Sequence, residues 1–228
     1  MPASNETMET ARGMEEAPPK VEEKPEWWGT PAVVGLMGFG TTTMIAGLSN
    51  LPTPYGAGFG AAVPGQGNWA IYGMALAFGG AAQLAAGLIA LRKGNVFAGS
   101  AFIGYGAFWL AFWVMLGQYA GPALGAGVPI FWGVAAFAFI WMMFTFSFLI
   151  NAPKHGWGIF LVFLFLFIAF ILLVVKYVSL AQGQTTFMGS NGANWAVGGE
   201  IILDGFLAWY VATADLTNWN YGRRVLPV

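Results

Sequence analysis

The stretch TPAVVGLMGFGTTTMIAGLSNL, Thr30 to Leu51, decides how the rest of the chain is read. It carries no charged residue, yet it gives up side chain at Gly35, Gly38, Gly40 and Gly47 and sets three hydroxyls in a row at Thr41, Thr42 and Thr43. A hydrocarbon core about 30 Å thick is crossed by a helix of about 20 predominantly apolar residues, and this stretch has that length. Its glycines have a membrane reason, because small residues let helix backbones approach closely in lipid.

Working outward, comparable apolar runs recur, so that spans are expected at residues 32–51, 68–91, 96–117, 127–150, 156–179 and 194–214. The 228-residue chain is 57% hydrophobic and only 8% charged, where soluble domains are about one-quarter charged, so almost nothing remains for a soluble domain. A transmembrane barrel would also satisfy its backbone in lipid, but barrel strands alternate over about ten residues and these runs are longer and continuously apolar. The expected fold class is an all-α membrane protein, a bundle of six transmembrane helices over residues 30–217. Glycine contributes 33 residues, about twice its usual share, and most fall inside the runs, which predicts tight helix packing.

Residues 1–29 form a separate region, with Glu6, Glu9, Glu15, Glu16, Glu22, Glu23 and Glu26 among prolines. Such a composition buries too little surface to fold alone and lacks the apolar core of a signal peptide. It reads as a disordered acidic tail ending in an interfacial anchor, Trp27 and Trp28. Residues 218–228 read as a short C-terminal tail. Six spans place both termini and the loops near 92–95 and 151–155 on one side. Arg12, Lys20, Lys24, Arg92, Lys93, Lys154, Arg223 and Arg224 gather there, leaving Lys176 near the other face, so the basic side is expected to be cytoplasmic. The opposite connections, PTPYGAGFGAAVPGQG and AQGQTTFMGSNGAN, read as loops. A weak likeness between GLMGFG and FIGYG hints at related halves.

Little here could perform catalysis. Cysteine is absent and the sole histidine, His155, falls in a loop, which removes thiolate metal sites and the Ser-His and Cys-His arrangements. Lys176 sits near a helix end, where it can snorkel to the interface, rather than deep in a bundle as a retinal lysine would. No enzyme activity, metal or cofactor is expected, and no basic patch suggests nucleic acid.

Polar groups within the runs are the candidates for a transport path. Thr41, Thr42, Thr43 and Asn50 in the first run and Gln83 in the second offer hydroxyl and amide hydrogen bonds. Threonines equally bond their own helix or a neighbour. Glu200 and Asp204 lie four apart on one helical face, with Asp215 further along. Acidic groups in a span suggest a proton or cation site, or alternatively a pair solvated in an outer vestibule. Phe39, between Gly38 and Gly40, reads either as a hydrophobic plug of a narrow pore or as core packing.

Four ordered motifs, GLMGFGTTT in the first run, GGAAQLAAG in the second, KGNVFAGSAFIGYGAFWL leading into the third and the terminal YGRRVLP, resemble the acetate uptake transporter family, of the succinate-acetate permease type. The resemblance runs from about Thr30 to Pro227. It implies a six-helix protomer in a cyclic hexamer, with a path inside each protomer for acetate, related small monocarboxylates or succinate. It implies a constriction of Phe, Tyr and Leu that falls on Phe39, Tyr105 and Leu166, and it gives Gln83 a counterpart. The family's opening Asn-Pro-Ala-Pro-Leu-Gly-Leu is TPAVVGL here, differing at Thr30, Val33 and Val34, and Asp215 stands where a Glu is usual. Glu200 and Asp204 match no family position. Three readings follow: carboxylate transport across a cell membrane, ammonium passage as in the ammonia-export members, and a sealed structural bundle that conducts nothing.

Overall fold

The structure, a computed structural model, describes residues 29–51, 69–184 and 191–228. The acidic stretch with Trp27 and Trp28, the first of the two connections named above and residues 185–190 of the second lie outside these residues. Among the described residues all regular structure is helical. Helix α1 is Ala32–Asn50. Helix α2 continues through Trp69–Leu76, a π-helical turn at Ala77–Ala82 and Gln83–Arg92. Helix α3 combines Val96–Phe112, a second π-helical stretch Trp113–Tyr119 and Ala120–Gly125. Helix α4 is Phe131–Leu149, followed by a 3₁₀ turn at Ala152–His155, α5 Trp157–Ala181 and α6 Asn191–Tyr221. Six helices among the described residues are long and apolar enough to cross a membrane, and the chain is a multi-pass membrane protein.

Two elements outrun their expected ends. Helix α3 is expected to stop near residue 117 but continues to Gly125 through the π-helical stretch and a last turn that contains Pro122. Helix α6 was expected to stop near 214 but continues to Tyr221. Its polar last turns fasten the chain end: Asn218 Oδ1 accepts hydrogen bonds from the N–H groups of Val225 (2.6 Å) and Leu226 (2.9 Å), and its Nδ2 donates to the Leu226 carbonyl at 2.9 Å. Gly222, at φ +61, makes the reversal, and the Tyr210 hydroxyl donates to the Pro227 carbonyl at 3.0 Å. The YGRRVLP motif is thus a return strap laid on α6. At the α2–α3 turn, Gly94 takes φ +82 and Asn95 caps α3 by accepting from the Ala98 N–H at 3.0 Å.

Glycine sets the helix spacing. A Cβ on Gly40 would stand 2.6 Å from the Gly205 carbonyl oxygen, and one on Gly47 would stand 2.7 Å from the Ile202 nitrogen. Backbone therefore touches backbone where α1 meets α6. On another side of α1, a Cβ on Gly38 would meet the Phe78 carbonyl of the α2 π turn at 2.6 Å. Between α2 and α3, Gly87 lies against the Ile103 backbone and Gly106 against that of Leu84. Helices α4 and α5 complete the bundle with larger side chains, many of them aromatic. Large apolar residues such as Leu88, Trp132, Ile140 and Met143 face outward, as a lipid-facing surface requires.

Candidate functional site

Phe39 on α1, Tyr105 on α3 and Leu166 on α5 meet in the middle of the bundle, each at most 6% exposed. The Phe39 and Tyr105 rings are 5.3 Å apart by centroids and tilted by 58°. Each aromatic stands between two glycines, and the structure explains why. The space beside Gly38 and Gly40 is filled by α2 and α6, and that beside Gly104 and Gly106 by Phe144 and Leu84. Helices closing in on both flanks leave the ring pointing between them. Neighbouring helices occupy the space beside the glycines, and the ring itself borders the two cavities described next.

Tyr105 is fixed further by a hydrogen bond of 2.9 Å between its hydroxyl and Thr145 Oγ1. Thr145 spends its own proton on the Trp141 carbonyl at 2.7 Å, so the tyrosine hydroxyl is the donor. Phe144 packs edge-on against the Tyr105 ring at 5.3 Å. The phenol ring has little freedom to swing aside.

A cavity opens from each end of the bundle onto this trio. The one at the end away from the chain termini, termed outer after the orientation expected from the basic loops, has a volume of about 290 Å³ and is lined by Thr43, Ser49, Asn50, Tyr72, Trp109 and Lys176 among many apolar groups. The inner one, about 170 Å³, is lined by Gln83, Asn95, Phe97, His155 and Asp215 among others. Phe39, Tyr105 and Leu166 are the residues that line both. These three side chains stand between the two cavities.

The polar residues divide. Thr43 faces the outer cavity, and its hydroxyl, like the Trp109 indole N–H, is buried without a partner among the described residues. Gln83 is 1% exposed with an unpartnered Oε1 and faces the inner cavity. Asn50 faces the outer cavity, while Asp215 reaches the inner one. Thr41 and Thr42 belong to neither lining. Thr41 donates to the Met37 carbonyl of its own helix at 2.7 Å, and Thr42 packs on Gly79 of α2. Successive helical positions point about 100° apart, so a run of three cannot face one path.

Glu200 and Asp204 are also placed differently from the solvated alternative. Asp204 is fully buried, and all four carboxylate oxygens of the pair are shielded without a hydrogen-bond partner among the described residues. Neither lines either cavity. Residues that sequence reasoning passed over complete the site. Trp109 sits in the quoted YGAFWL segment, and Thr145 is the lone hydroxyl within WMMFTF. His155 is stacked on Phe97 at 3.8 Å and lines the inner cavity. Lys176 does not snorkel outward: it turns into the outer cavity and donates to Asn50 Oδ1 at 2.9 Å. No group of metal-ligating side chains occurs among the described residues.

A bundle of six membrane-crossing helices with a cavity at each end is the architecture of a membrane transport protein. The chain belongs to the GPR1/FUN34/yaaH family, whose model matches residues 14–223. The succinate-acetate/proton symporter SatP of Escherichia coli K12 is 31% identical over 87% of this chain and 94% of its own length. Acetate permease A of Emericella nidulans is 31% identical over 88% of this chain and 66% of that protein. The solved structure of the bacterial acetate channel SatP superposes with a TM-score of 0.72 at 30% identity, covering 88% of this chain and 99% of that one.

Proposed function

We propose that the protein moves acetate and related small monocarboxylates across the cell membrane, with both termini cytoplasmic and a path through each protomer of a homo-hexamer. The observation that carries this reading is the junction of the two cavities at Phe39, Tyr105 and Leu166. A small solute needs to shed its water only over that short apolar ring. Neutral polar groups flank it: the Thr43 hydroxyl and Trp109 indole N–H outside as donors, and inside the Gln83 amide, whose free Oε1 accepts from water or from a protonated acid. Hydrogen bonds to neutral groups hold a carboxylate weakly enough to release it, which favours throughput. The size limit follows from the ring and the chemistry from the donors.

The buried carboxyl groups supply a route to proton coupling. Glu200 and Asp204, enclosed without partners beside the constriction, and Asp215 in the inner cavity are the groups we assign to proton uptake and release. Ammonium passage is the weaker alternative, because no carboxylate of the described residues lines the outer cavity while a lysine does. The test is flux of labelled acetate and of methylammonium into proteoliposomes, each with and without an inward proton gradient. Saturable acetate entry competed by propionate is expected. Methylammonium entry without acetate entry would replace this reading, and absence of both would make the bundle a sealed structural protein.

A further inference from the structure

The outer cavity has two polar ends. Its floor carries the unpartnered Thr43 hydroxyl and Trp109 N–H, both on residues 3% exposed, next to the constriction. Its mouth carries Lys176 and Asn50, on helices α5 and α1. Seven residues separate Thr43 from Asn50 along α1, a rise of about 10 Å, and the wall between is largely aromatic and aliphatic.

The Lys176–Asn50 contact has an uneven character. Asn50 Nδ2 donates to the Ala46 carbonyl of its own helix at 2.9 Å, which fixes the amide with its oxygen turned toward Lys176. That oxygen, a neutral acceptor 2.9 Å from Nζ, occupies the place a carboxylate oxygen would take. It is the one hydrogen bond the ammonium makes among the described residues, and no described acidic side chain lines the cavity to neutralise it. A charge-assisted bond to an anion is about twice as strong as one between neutral groups. An arriving carboxylate therefore displaces or joins the amide.

We propose that Lys176 is a specificity-determining residue: it forms an outer binding site for ionised carboxylates, separate from the constriction, with Asn50 holding the ammonium in place between arrivals. The proposal rests on carboxylate transport as the function, but it concerns binding and is tested as such. Acetate ions wait at Lys176 and then pass to the floor donors. Neutral solutes of similar size gain nothing at the mouth.

The experiment measures acetate binding to the purified full-length protein in detergent by saturation-transfer NMR, and in parallel the concentration dependence of acetate flux and the rate of glycerol flux in proteoliposomes. Wild type is compared with Lys176→Gln, Lys176→Arg and Asn50→Ala. Expected is a loss of acetate binding of about tenfold in Lys176→Gln, the scale of one hydrogen bond to a charged group. A matching rise in half-saturation concentration and unchanged glycerol flux should accompany it. Lys176→Arg should retain binding, and Asn50→Ala should bind acetate as well as or better than wild type. Equal binding by Lys176→Gln and wild type would overturn the proposal. So would an Asn50→Ala variant as impaired as Lys176→Gln, because the pair would then be a strut between α1 and α5. Lysine-dependent binding without acetate flux would leave the outer site standing and overturn the transport reading instead.

Discussion

Phe39 is held in the path by what its neighbours lack. With Gly38 against the Phe78 carbonyl and Gly40 against the Gly205 carbonyl, the main chain on either side of the ring is fixed, and only the ring itself projects between the cavities. Phe39→Ala should therefore remove the stop without moving the frame. Acetate flux should rise and longer monocarboxylates such as butyrate should enter, checked by uptake across a series of chain lengths; an unaltered size limit would remove Phe39 from the constriction. Burial of a phenylalanine in a filled core is worth about 3–5 kcal/mol on truncation to alanine, but this ring borders open space on two sides, so a smaller loss of stability is expected. Gln83 makes the complementary case. Its Oε1 is buried beside the inner cavity without a partner, a costly arrangement unless water or solute visits it. Gln83→Leu should fold and assemble normally, with a lower maximal flux than wild type in proteoliposomes, and undiminished flux would assign the amide no part in transport.

Helix spacing is where substitutions should cost stability. A methyl at Gly40 would face the Gly205 carbonyl at 2.6 Å, backbone that cannot rotate away, so Gly40→Ala must push α1 off α6. Gly73 in α2 has nothing within 4 Å of its missing Cβ, and there alanine gains helix propensity of about 1 kcal/mol. Thermal unfolding of the two variants in detergent should move in opposite directions, down for Gly40→Ala and level or up for Gly73→Ala. The strap at the end of α6 gives a second contrast. Asn218 makes three bonds to it, each worth about 0.5–1.5 kcal/mol. Asn218→Ala should free the strap and expose Arg223 and Arg224 to trypsin, seen as faster loss of the last residues in a timed digest. Cleavage at the wild-type rate would mean that Tyr210 and Gly222 hold the strap unaided.

For the molecule as a whole, the two-cavity plan predicts one-sided access. The chain has no cysteine, so single cysteines at Ala46, on the outer cavity, and Ala98, on the inner one, report access cleanly. A membrane-impermeant maleimide should label Ala46→Cys only from the outer face and Ala98→Cys only from the inner. Labelling of both from one face would mean that the ring does not close the path. The bundle was legible in the chain because lipid imposes length and apolarity on each helix separately. Phe39 stood out because it lies between glycines inside an apolar run, whereas Phe59, also between glycines, falls in a connection; Tyr105 and Leu166 came from the family resemblance. Thr41 and Thr42 were not separable from Thr43, since their roles depend on how α1 is rotated. The turn of Lys176 inward depends on Asn50, 126 positions away, and the enclosure of Asp204 depends on the packing around α6; neither leaves a local mark.

The main-chain contact between Gly40 and Gly205 has a further consequence. Because the helices touch through atoms that every residue shares, the width of the opening is divorced from the scaffold that carries it. The three side chains at the centre act as an exchangeable gauge mounted in a fixed housing. In the proposed path, a single substitution at the gauge resets the size of cargo admitted with no rebuilding of the housing.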